Sequence, residues 1–328
     1  MSETLLKVEN LKTHFPVKGG VFRSVKRYVK AVDDVSFEVA EGKTFGLVGE
    51  SGCGKTTLGR SVLQLIPPTS GKVFFEGEQI VGKSRNELLP IRRNMQIIFQ
   101  DPYASLNPRM TILEAIQEPM LIHRIGSANE RHDRVVELLE LVGLRRNILN
   151  RYPHEFSGGQ RQRIGVARAL AVNPRFIVAD EPVSALDVSV QSQVLNLISD
   201  LQQKLGLAFL FISHDLAVVQ HVSHEVGVMY LGKIVERASV EEIYQNPKHP
   251  YTQALLSAIP SPEVGASKNR IFLPGDVPSP MSPPGGCPFH PRCPVAEDRC
   301  RSVIPETVNL KSAADGHWVS CHLYPSKD

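Results

Sequence analysis

The fold is decided by the stretch Phe45-Gly46-Leu47-Val48-Gly49-Glu50-Ser51-Gly52-Cys53-Gly54-Lys55-Thr56. Its first four residues form a short, mostly apolar run that ends at Gly49, and such a run predicts a buried strand. Residues Thr57 to Leu63 follow a helical pattern, and Pro67-Pro68 mark the end of that helix. The intervening segment fits the pattern G-x-x-x-x-G-K-[ST]. A strand, a glycine-rich loop and a helix in this order predict a phosphate-binding loop.

The residue types of this loop suit the binding of a nucleotide phosphate. Glycine lets backbone N–H groups curl around phosphate oxygens, and the positive end of the helix dipole favours an anion. We expect Lys55 to reach the terminal phosphates and the Thr56 hydroxyl to ligate Mg²⁺. The predicted nucleotide contacts here are Gly49, Glu50, Ser51, Gly52, Cys53, Gly54, Lys55, Thr56 and Thr57.

A second apolar stretch, Phe176 to Ala179, ends in two acidic residues, Asp180 and Glu181. Side chains at the carboxyl end of a parallel strand face the ligand crevice of α/β proteins. We therefore expect Asp180 to orient the Mg²⁺ shell. Glu181 is the candidate for polarising the water that attacks the γ-phosphate.

The order of the predicted elements indicates the α/β class. The strands 176–179 and 208–212 are separated by the helical stretch Ser189 to Lys204, an alternation typical of a buried parallel sheet. Near the N-terminus, Val35 to Val39 alternate apolar and polar residues, which predicts an antiparallel β subdomain.

Two further segments depart from this alternation. Residues 101–173 have a helical pattern, with helices expected at Thr111 to Glu118 and at Asn129 to Leu141, so we predict an inserted helical subdomain. Proline becomes frequent from Pro260 onward, and proline removes backbone donors. The sequence thus predicts a main domain at 1–260 and a small loop-rich module at 261–328.

The segment Ser157-Gly158-Gly159-Gln160 predicts a turn that opens a helix and exposes N–H groups to a second phosphate face. Together with the phosphate loop and the Asp-Glu strand end, it resembles the ATP-binding cassette (ABC) ATPases. The resemblance implies a P-loop NTPase fold with a RecA-like mixed sheet core, and ATP hydrolysis with Mg²⁺. It also implies that two subunits close head to tail, so that this segment of one subunit completes the ATP site of the other.

Four other site residues are implied by the same resemblance. Gln100 matches the glutamine that touches Mg²⁺ and the lytic water, and His214 matches the switch histidine at the γ-phosphate. Asp187 ends a loop that crosses the dimer interface. The adenine is expected to stack on Phe15, with Tyr28 as the competing aromatic residue.

A finer resemblance comes from Asn246 to Pro260 and from Phe99 to Met110, which are similar to oligopeptide and dipeptide importer ATPases. It implies an ATPase on the cytoplasmic side of the inner membrane that powers two transmembrane permease subunits and pairs with a related ATPase or with itself. A soluble substrate-binding protein would deliver the cargo, and a permease helix would dock near Gln100 to Met110. As a bare pattern, His249-Pro250-Tyr251 predicts a proline-capped helix that docks on the sheet domain.

Two other functions share parts of this pattern. The same ATPase could serve an importer of nickel, a glycoside or a modified peptide. An ABC ATPase that acts on DNA or ribosomes is disfavoured, because the sequence has one P-loop pattern and no heptad run. The net charge of +3 also gives no indication of a nucleic-acid partner.

The first residues lack the basic region and the apolar region of a secretory signal, and no apolar run approaches the roughly 20 residues of a membrane span. We therefore expect a cytoplasmic protein in which disulfides are unfavourable. Four cysteines still cluster near the C-terminus with the spacing C-x5-C-x6-C-x20-C, namely Cys287, Cys293, Cys300 and Cys321. Thiolates in a loop-rich segment favour a metal, and the long spacings and the family resemblance favour a [4Fe–4S] cluster over zinc. Unliganded thiols are a third alternative, and His290, His317 and His322 are further candidate ligands.

Overall fold

A computed structural model describes residues 3–19, 24–259, 270–310 and 316–325. The strands are β1 (Thr4–Gly19), β2 (Ser24–Ala40), β3 (Thr44–Val48), β4 (Ser70–Phe75), β5 (Glu78–Gln79), β6 (Met95–Ile98), β7 (Phe176–Asp180), β8 (Ala208–Ser213), β9 (Glu225–Tyr230), β10 (Lys233–Ser239), β11 (Thr307–Asn309) and β12 (Trp318–Ser320). The helices are α1 (Lys55–Val62), α2 (Arg85–Asn94), α3 (Ile112–Ile122), α4 (Ala128–Leu141), α5 (Gly158–Leu170), α6 (Val188–Leu205), α7 (Leu216–Val222), α8 (Val240–Gln245) and α9 (Pro250–Ser257).

The chain forms two compact units, each built from several segments. The first unit comprises Met1–Leu5, Val39–Thr44 and Gly82–Ile212. The second comprises Leu6–Glu38, Phe45–Val81 and Ser213–Asp328.

The first unit contains a parallel sheet in which β7 lies between β6 and β8. Its register pairs Ile97 with Val178, and Val178 with Leu210. Every residue of β7 and β8 is buried. Continuous burial requires cover on both faces and selects apolar residues at every position, which is why these two strands could be predicted from their sequence.

The inserted helices α3, α4 and α5 lie between β6 and β7 in the chain and pack against one another. Each begins at a serine or threonine whose hydroxyl accepts the N–H bond of a glutamate or glutamine three residues on, and that side chain accepts the N–H bond of the capping residue in return. The capping residues are Thr111, Ser127 and Ser157. The predicted helical character of this segment is confirmed.

Helix α3 is longer than the sequence predicts. It continues past the expected end at Glu118, through Pro119, to Ile122. Proline normally ends a helix because it lacks an N–H group and crowds the preceding turn. Here the side chains of Ile112, Ile116 and Met120 form a buried face, and this burial maintains the helix across Pro119.

The second unit contains an antiparallel sheet and a mixed sheet. In the antiparallel sheet the order is β2-β1-β4-β5, and Leu6 lies opposite Phe75. The alternating stretch Val35 to Val39 lies within β2, so the predicted antiparallel β subdomain is confirmed. In the mixed sheet β3 pairs in parallel with β9, and β10, β12 and β11 follow as antiparallel strands.

The C-terminal residues are rich in loops, as predicted, but they also contribute two short strands. β12 pairs with β10, with Val319 opposite Glu236 and Trp318 opposite Arg237. Strands β11 and β12 have three residues each. The predicted division of the chain at residues 260/261 lies outside the described residues and stays a prediction.

Within the described part of the chain, no helix has the length and apolar character needed to cross a bilayer.

Candidate functional site

The phosphate loop has a backbone shape that only glycine can adopt at its critical position. Gly54 has a φ of 111°, and a Cβ atom built there would lie 1.9 Å from the carbonyl oxygen of Ala31. Gly52 has a φ of 80°, but a Cβ atom there would meet no heavy atom within 4 Å. Position 54 therefore requires a left-handed backbone and has no room for a Cβ atom, whereas position 52 requires only the left-handed backbone.

Lys55 closes the loop from inside. Its side chain is only 4% exposed, and its Nζ donates to the carbonyl oxygens of Gly49 at 2.8 Å and Glu50 at 3.1 Å. These two acceptors carry partial charges, whereas a phosphate would bring a full negative charge to the ammonium group. A cation held in this way favours the binding of a polyanion.

The other side chains at the start of α1 are compatible with phosphate binding. Thr56 and Thr57 are half-buried in the first turn. Burial raises the pKa of the Cys53 thiol, so this side chain stays neutral near pH 7 and adds no negative charge to the loop.

Two residues that the sequence analysis did not assign to the site contact the loop at Glu50. The backbone N–H of Glu50 donates to the Tyr251 hydroxyl at 3.0 Å, and the Glu50 carboxylate pairs with Arg292 at 2.6 Å. The proline-capped helix predicted from His249-Pro250-Tyr251 is present as α9, with His249 as its N-cap. Its Tyr251 docks on the phosphate loop itself.

At the carboxyl end of β7, the structure brings two predicted catalytic residues into contact. The side-chain amide of Gln100 donates to the Glu181 carboxylate at 2.9 Å. Asp180, the last residue of β7, is buried. The Glu181 backbone has a φ of 46°, a left-handed conformation that costs a non-glycine residue about 1–3 kcal/mol.

The backbone hydrogen bonds of Glu181 support this conformation. Its N–H donates to the carbonyl oxygen of Ile212 at 3.0 Å, and its own carbonyl accepts from the Ser184 hydroxyl at 3.1 Å. Local strain of this kind is typical of functional positions.

The Ser157 to Gln160 segment has a structural role in this chain, and its role at the nucleotide of a second subunit stays a prediction. Ser157 and Gln160 form the capping box of α5, in which the Ser157 N–H donates to Gln160 Oε1 at 3.1 Å. The two glycines between them allow close packing, because Cβ atoms would lie 3.2 Å from Leu186 at Gly158 and 2.3 Å from Val190 at Gly159. The turn therefore lies against the end of the loop that precedes α6 and against the first turn of α6.

Several predicted interface residues in this region are exposed. Ser157 and Gln160 are exposed beside that loop, and so is Asp187. Asp187 is the N-cap of α6 but makes no side-chain capping bond. These polar groups are accessible to a second chain.

The remaining predicted residues are accessible on the second unit. His214 is exposed directly after β8, where Asp215 fixes the turn by accepting the Ala217 N–H at 2.8 Å. Phe15 is 39% exposed and Tyr28 is 51% exposed, so both aromatic rings are available for stacking. The common action of all these residues on one nucleotide stays a prediction.

Near the C-terminus, the four clustered cysteines line a single small cavity of about 20 Å³. Burial, together with the neighbouring thiols, raises the pKa of the Cys287 thiol to about 11. The five cysteines are free thiols in this structure. Within the described ranges, no three His, Cys, Asp or Glu side chains converge as ligands of one metal ion.

Comparison with known proteins gives a family match for two ranges of the chain and close relatives over nearly all of it. A family model described as "ABC transporter" matches residues 32–184, and one described as "Oligopeptide/dipeptide transporter, C-terminal region" matches residues 235–300. The oligopeptide transport ATP-binding protein AppF of Bacillus subtilis (strain 168) is 53% identical over 325 residues, which cover 98% of each chain. The probable peptide ABC transporter ATP-binding protein y4tS of Sinorhizobium fredii is 53% identical over 98% of this chain and 91% of its own.

Among solved structures, the chain is similar to the dimeric ATP-binding cassette MJ0796 bound to ADP and Pi. The TM-score is 0.64 with 29% sequence identity, and the match covers 72% of this chain and 99% of that one.

The two loop glycines give a matched test of the site geometry. Gly52→Ala has to overcome only the left-handed backbone, so we expect a loss of about 1 kcal/mol, or about 2–4 °C in melting temperature. Gly54→Ala also forces a Cβ atom against the Ala31 carbonyl, and its melting temperature should fall at least twice as far. Thermal unfolding of the two variants makes the comparison, and equal losses would contradict the described loop geometry.

Proposed function

The chain belongs to the ATP-binding subunits of oligopeptide-type ABC transporters, and from this premise we propose how its residues use ATP. It is the ATPase subunit of a peptide importer. The observation that carries the residue-level proposal is the 2.9 Å contact between Gln100 and Glu181 at the end of β7. This contact joins an amide and a carboxylate where the hydrolytic water is expected.

Nucleotide binding is assigned to the phosphate loop and one aromatic side chain. Backbone N–H groups of Gly49 to Thr56 and the Lys55 ammonium hold the phosphates, and the adenine stacks on Phe15 or Tyr28. Thr56, Gln100 and Asp180 supply the oxygen atoms that would hold Mg²⁺, which neutralises phosphate charge when bound. Oxygen donors of this kind suit a hard cation.

Hydrolysis is assigned to three side chains. Glu181 accepts a proton from the attacking water, and Gln100 fixes the Glu181 carboxylate through its amide. His214 contacts the γ-phosphate and stabilises its developing charge. Because these groups act mainly in the transition state, their removal lowers turnover more than affinity.

Glu181→Gln tests this assignment directly. The variant should bind ATP with nearly unchanged affinity but lose at least about 100-fold in turnover, since an amide cannot accept the proton. Binding is measured with a fluorescent ATP analogue, and turnover by phosphate release from the complete transporter. Glu137→Gln, an exposed carboxylate of the same unit, is the control and should keep full activity. Near-normal hydrolysis by Glu181→Gln would move the role to Gln100 or His214.

The exposed Ser157, Gln160 and Asp187 side chains support a second proposal, that ATP is bound between two ATPase subunits closed head to tail. The second subunit is a related ATPase or another copy of this chain. Two transmembrane permeases, a substrate-binding protein and a location on the cytoplasmic side of the inner membrane complete the proposed assembly. A cargo of nickel, a glycoside or a modified peptide would use the same ATPase chemistry, since other chains bind the cargo.

The segment after Gln100 is the proposed docking point for a permease helix. Tyr103 is 63% exposed there, and the guanidinium of Arg161 lies 3.4 Å from the centre of its ring. Arg161 belongs to α5, the helix that Ser157 caps. A permease that binds this segment would therefore be linked to α5, the helix that begins at the Ser157 turn, through the contact between Tyr103 and Arg161.

The two-subunit site predicts a concentration dependence. Specific ATPase activity of the purified chain should rise at least severalfold between nanomolar and high micromolar protein, or on addition of the partner subunits, because the Ser157 turn must come from a second chain. Phosphate release and light scattering are measured on the same samples. Full activity in a sample shown to be monomeric would exclude the two-subunit site.

We also propose that Cys287, Cys293, Cys300 and Cys321 hold one [4Fe–4S] cluster with a structural role. The support is that all four thiols line the same cavity in a segment with few core residues. Zinc ligation at about 2.3 Å would bring sulfur atoms to roughly 3.8 Å from one another, and no three described ligand side chains converge on one ion. In a [4Fe–4S] cluster each thiolate would bind a different iron of one sulfide-bridged core, so the four sulfur atoms need not converge on a single ion. A bound cluster would supply folding free energy to the segment.

Anaerobic purification tests the cluster. The protein should be brown, contain about four irons per chain and lose its visible absorption on reduction. Each of the Cys287→Ser, Cys293→Ser, Cys300→Ser and Cys321→Ser variants should lose iron, whereas Cys53→Ser, outside the cavity, should retain it. Stoichiometric zinc in a colourless sample, with no iron after anaerobic reconstitution, would replace the cluster with zinc.

A further inference from the structure

The segment between Cys287 and Cys293 makes an ion pair with the phosphate loop. Arg292 is buried, with 8% of its side chain exposed, and its two terminal nitrogens contact the two Glu50 carboxylate oxygens at 2.6 and 3.1 Å. This bidentate geometry is the strongest form of an arginine–carboxylate pair. An arginine side chain keeps its positive charge at physiological pH, so this contact joins two full and opposite charges.

A second contact holds the same residue by its backbone. The Glu50 N–H donates to the Tyr251 hydroxyl at 3.0 Å, and burial raises the pKa of Tyr251, so the phenol stays neutral. Tyr251, Tyr230 and Phe289 form a buried aromatic cluster with ring centres 4.8 to 5.4 Å apart. Phe289 lies in the same short segment as Arg292, so packing fixes both contacts with Glu50.

Charge explains why a loop that binds phosphate would need such a partner. Glu50 places a carboxylate within the phosphate loop itself, where it would repel an anionic nucleotide. Arg292 cancels this charge and, through its two-point contact, fixes the direction of the Glu50 side chain. Because Arg292 neutralises Glu50, Lys55 is the cation of the loop that we expect to meet the phosphates.

We propose that Arg292 is a positioning residue of the nucleotide site, which neutralises Glu50 and holds the first half of the phosphate loop ready for ATP. The inference rests on the proposed nucleotide binding by this loop. It makes the cysteine-rich segment a part of the nucleotide site, since Arg292 can reach Glu50 only while that segment keeps its fold.

Titration of the full-length protein with a fluorescent ATP analogue tests the proposal. Arg292→Gln should weaken binding at least tenfold, because it leaves the Glu50 carboxylate unpaired beside the phosphates. Glu50→Gln alone should weaken binding less than threefold. The double variant should bind more tightly than Arg292→Gln, because no unpaired charge remains. Arg301→Gln, whose side chain is 75% exposed next to Cys300, is the matched control and should bind like the wild type.

Salt distinguishes charge neutralisation from a merely structural effect. The loss caused by Arg292→Gln should shrink as NaCl rises from 50 to 500 mM, because ions screen the repulsion between Glu50 and the nucleotide. If Arg292→Gln does not fold, Arg292→Lys is used in its place. Adding Glu50→Gln to Arg292→Lys should then leave the affinity for the ATP analogue unchanged or increase it.

Three outcomes would overturn the inference. They are binding by Arg292→Gln within twofold of the wild type, a double variant as weak as Arg292→Gln, and a loss that does not change with salt. Absence of binding by the wild type, with Lys55→Ala indistinguishable from it, would instead overturn the proposed nucleotide site. The two failures are therefore separable.

Discussion

The backbone of the phosphate loop must direct its N–H groups toward an anion, and it therefore cannot satisfy them within its own strand or helix. Contacts from several parts of the second unit hold the loop in this conformation. The loop lies against the Ala31 carbonyl at Gly54, Lys55 binds two of its carbonyl oxygens from inside, and Tyr251 and Arg292 hold it at Glu50. Elements distant in sequence thus share one task, the support of a loop whose conformation is intrinsically unfavourable.

The motif residues of the first unit also stabilise local structure, in addition to the roles proposed for them. The hydroxyl of Ser157 caps the helix that carries the Ser-Gly-Gly-Gln turn, and the two glycines allow that turn to approach α6. Glu181 holds a left-handed backbone through bonds to Ile212 and Ser184 while its side chain binds Gln100. Rigid local structure of this kind reduces the reorganisation needed when the transition state forms.

The sequence was sufficient for features that depend on local patterns. Buried strands such as β7 and β8 are continuous apolar runs, and the phosphate loop has a fixed spacing of glycine, lysine and threonine. Features that depend on distant contacts could not be predicted. Arg292 and Glu50 are 242 residues apart, and nothing near either residue indicates the pairing. Likewise, α3 continues through Pro119 because of tertiary burial, which overrides the local signal of proline.

The central claim is that the phosphate loop and the cysteine-rich segment form one cooperative part of the nucleotide site. Hydrogen exchange of the full-length protein, with and without Mg²⁺ and a non-hydrolysable ATP analogue, tests it most directly. The account predicts that the nucleotide slows exchange in residues 49–57 and, in the same titration, in residues 287–293 and around Tyr251. Protection confined to the phosphate loop, with unchanged exchange in the cysteine-rich segment, would contradict it.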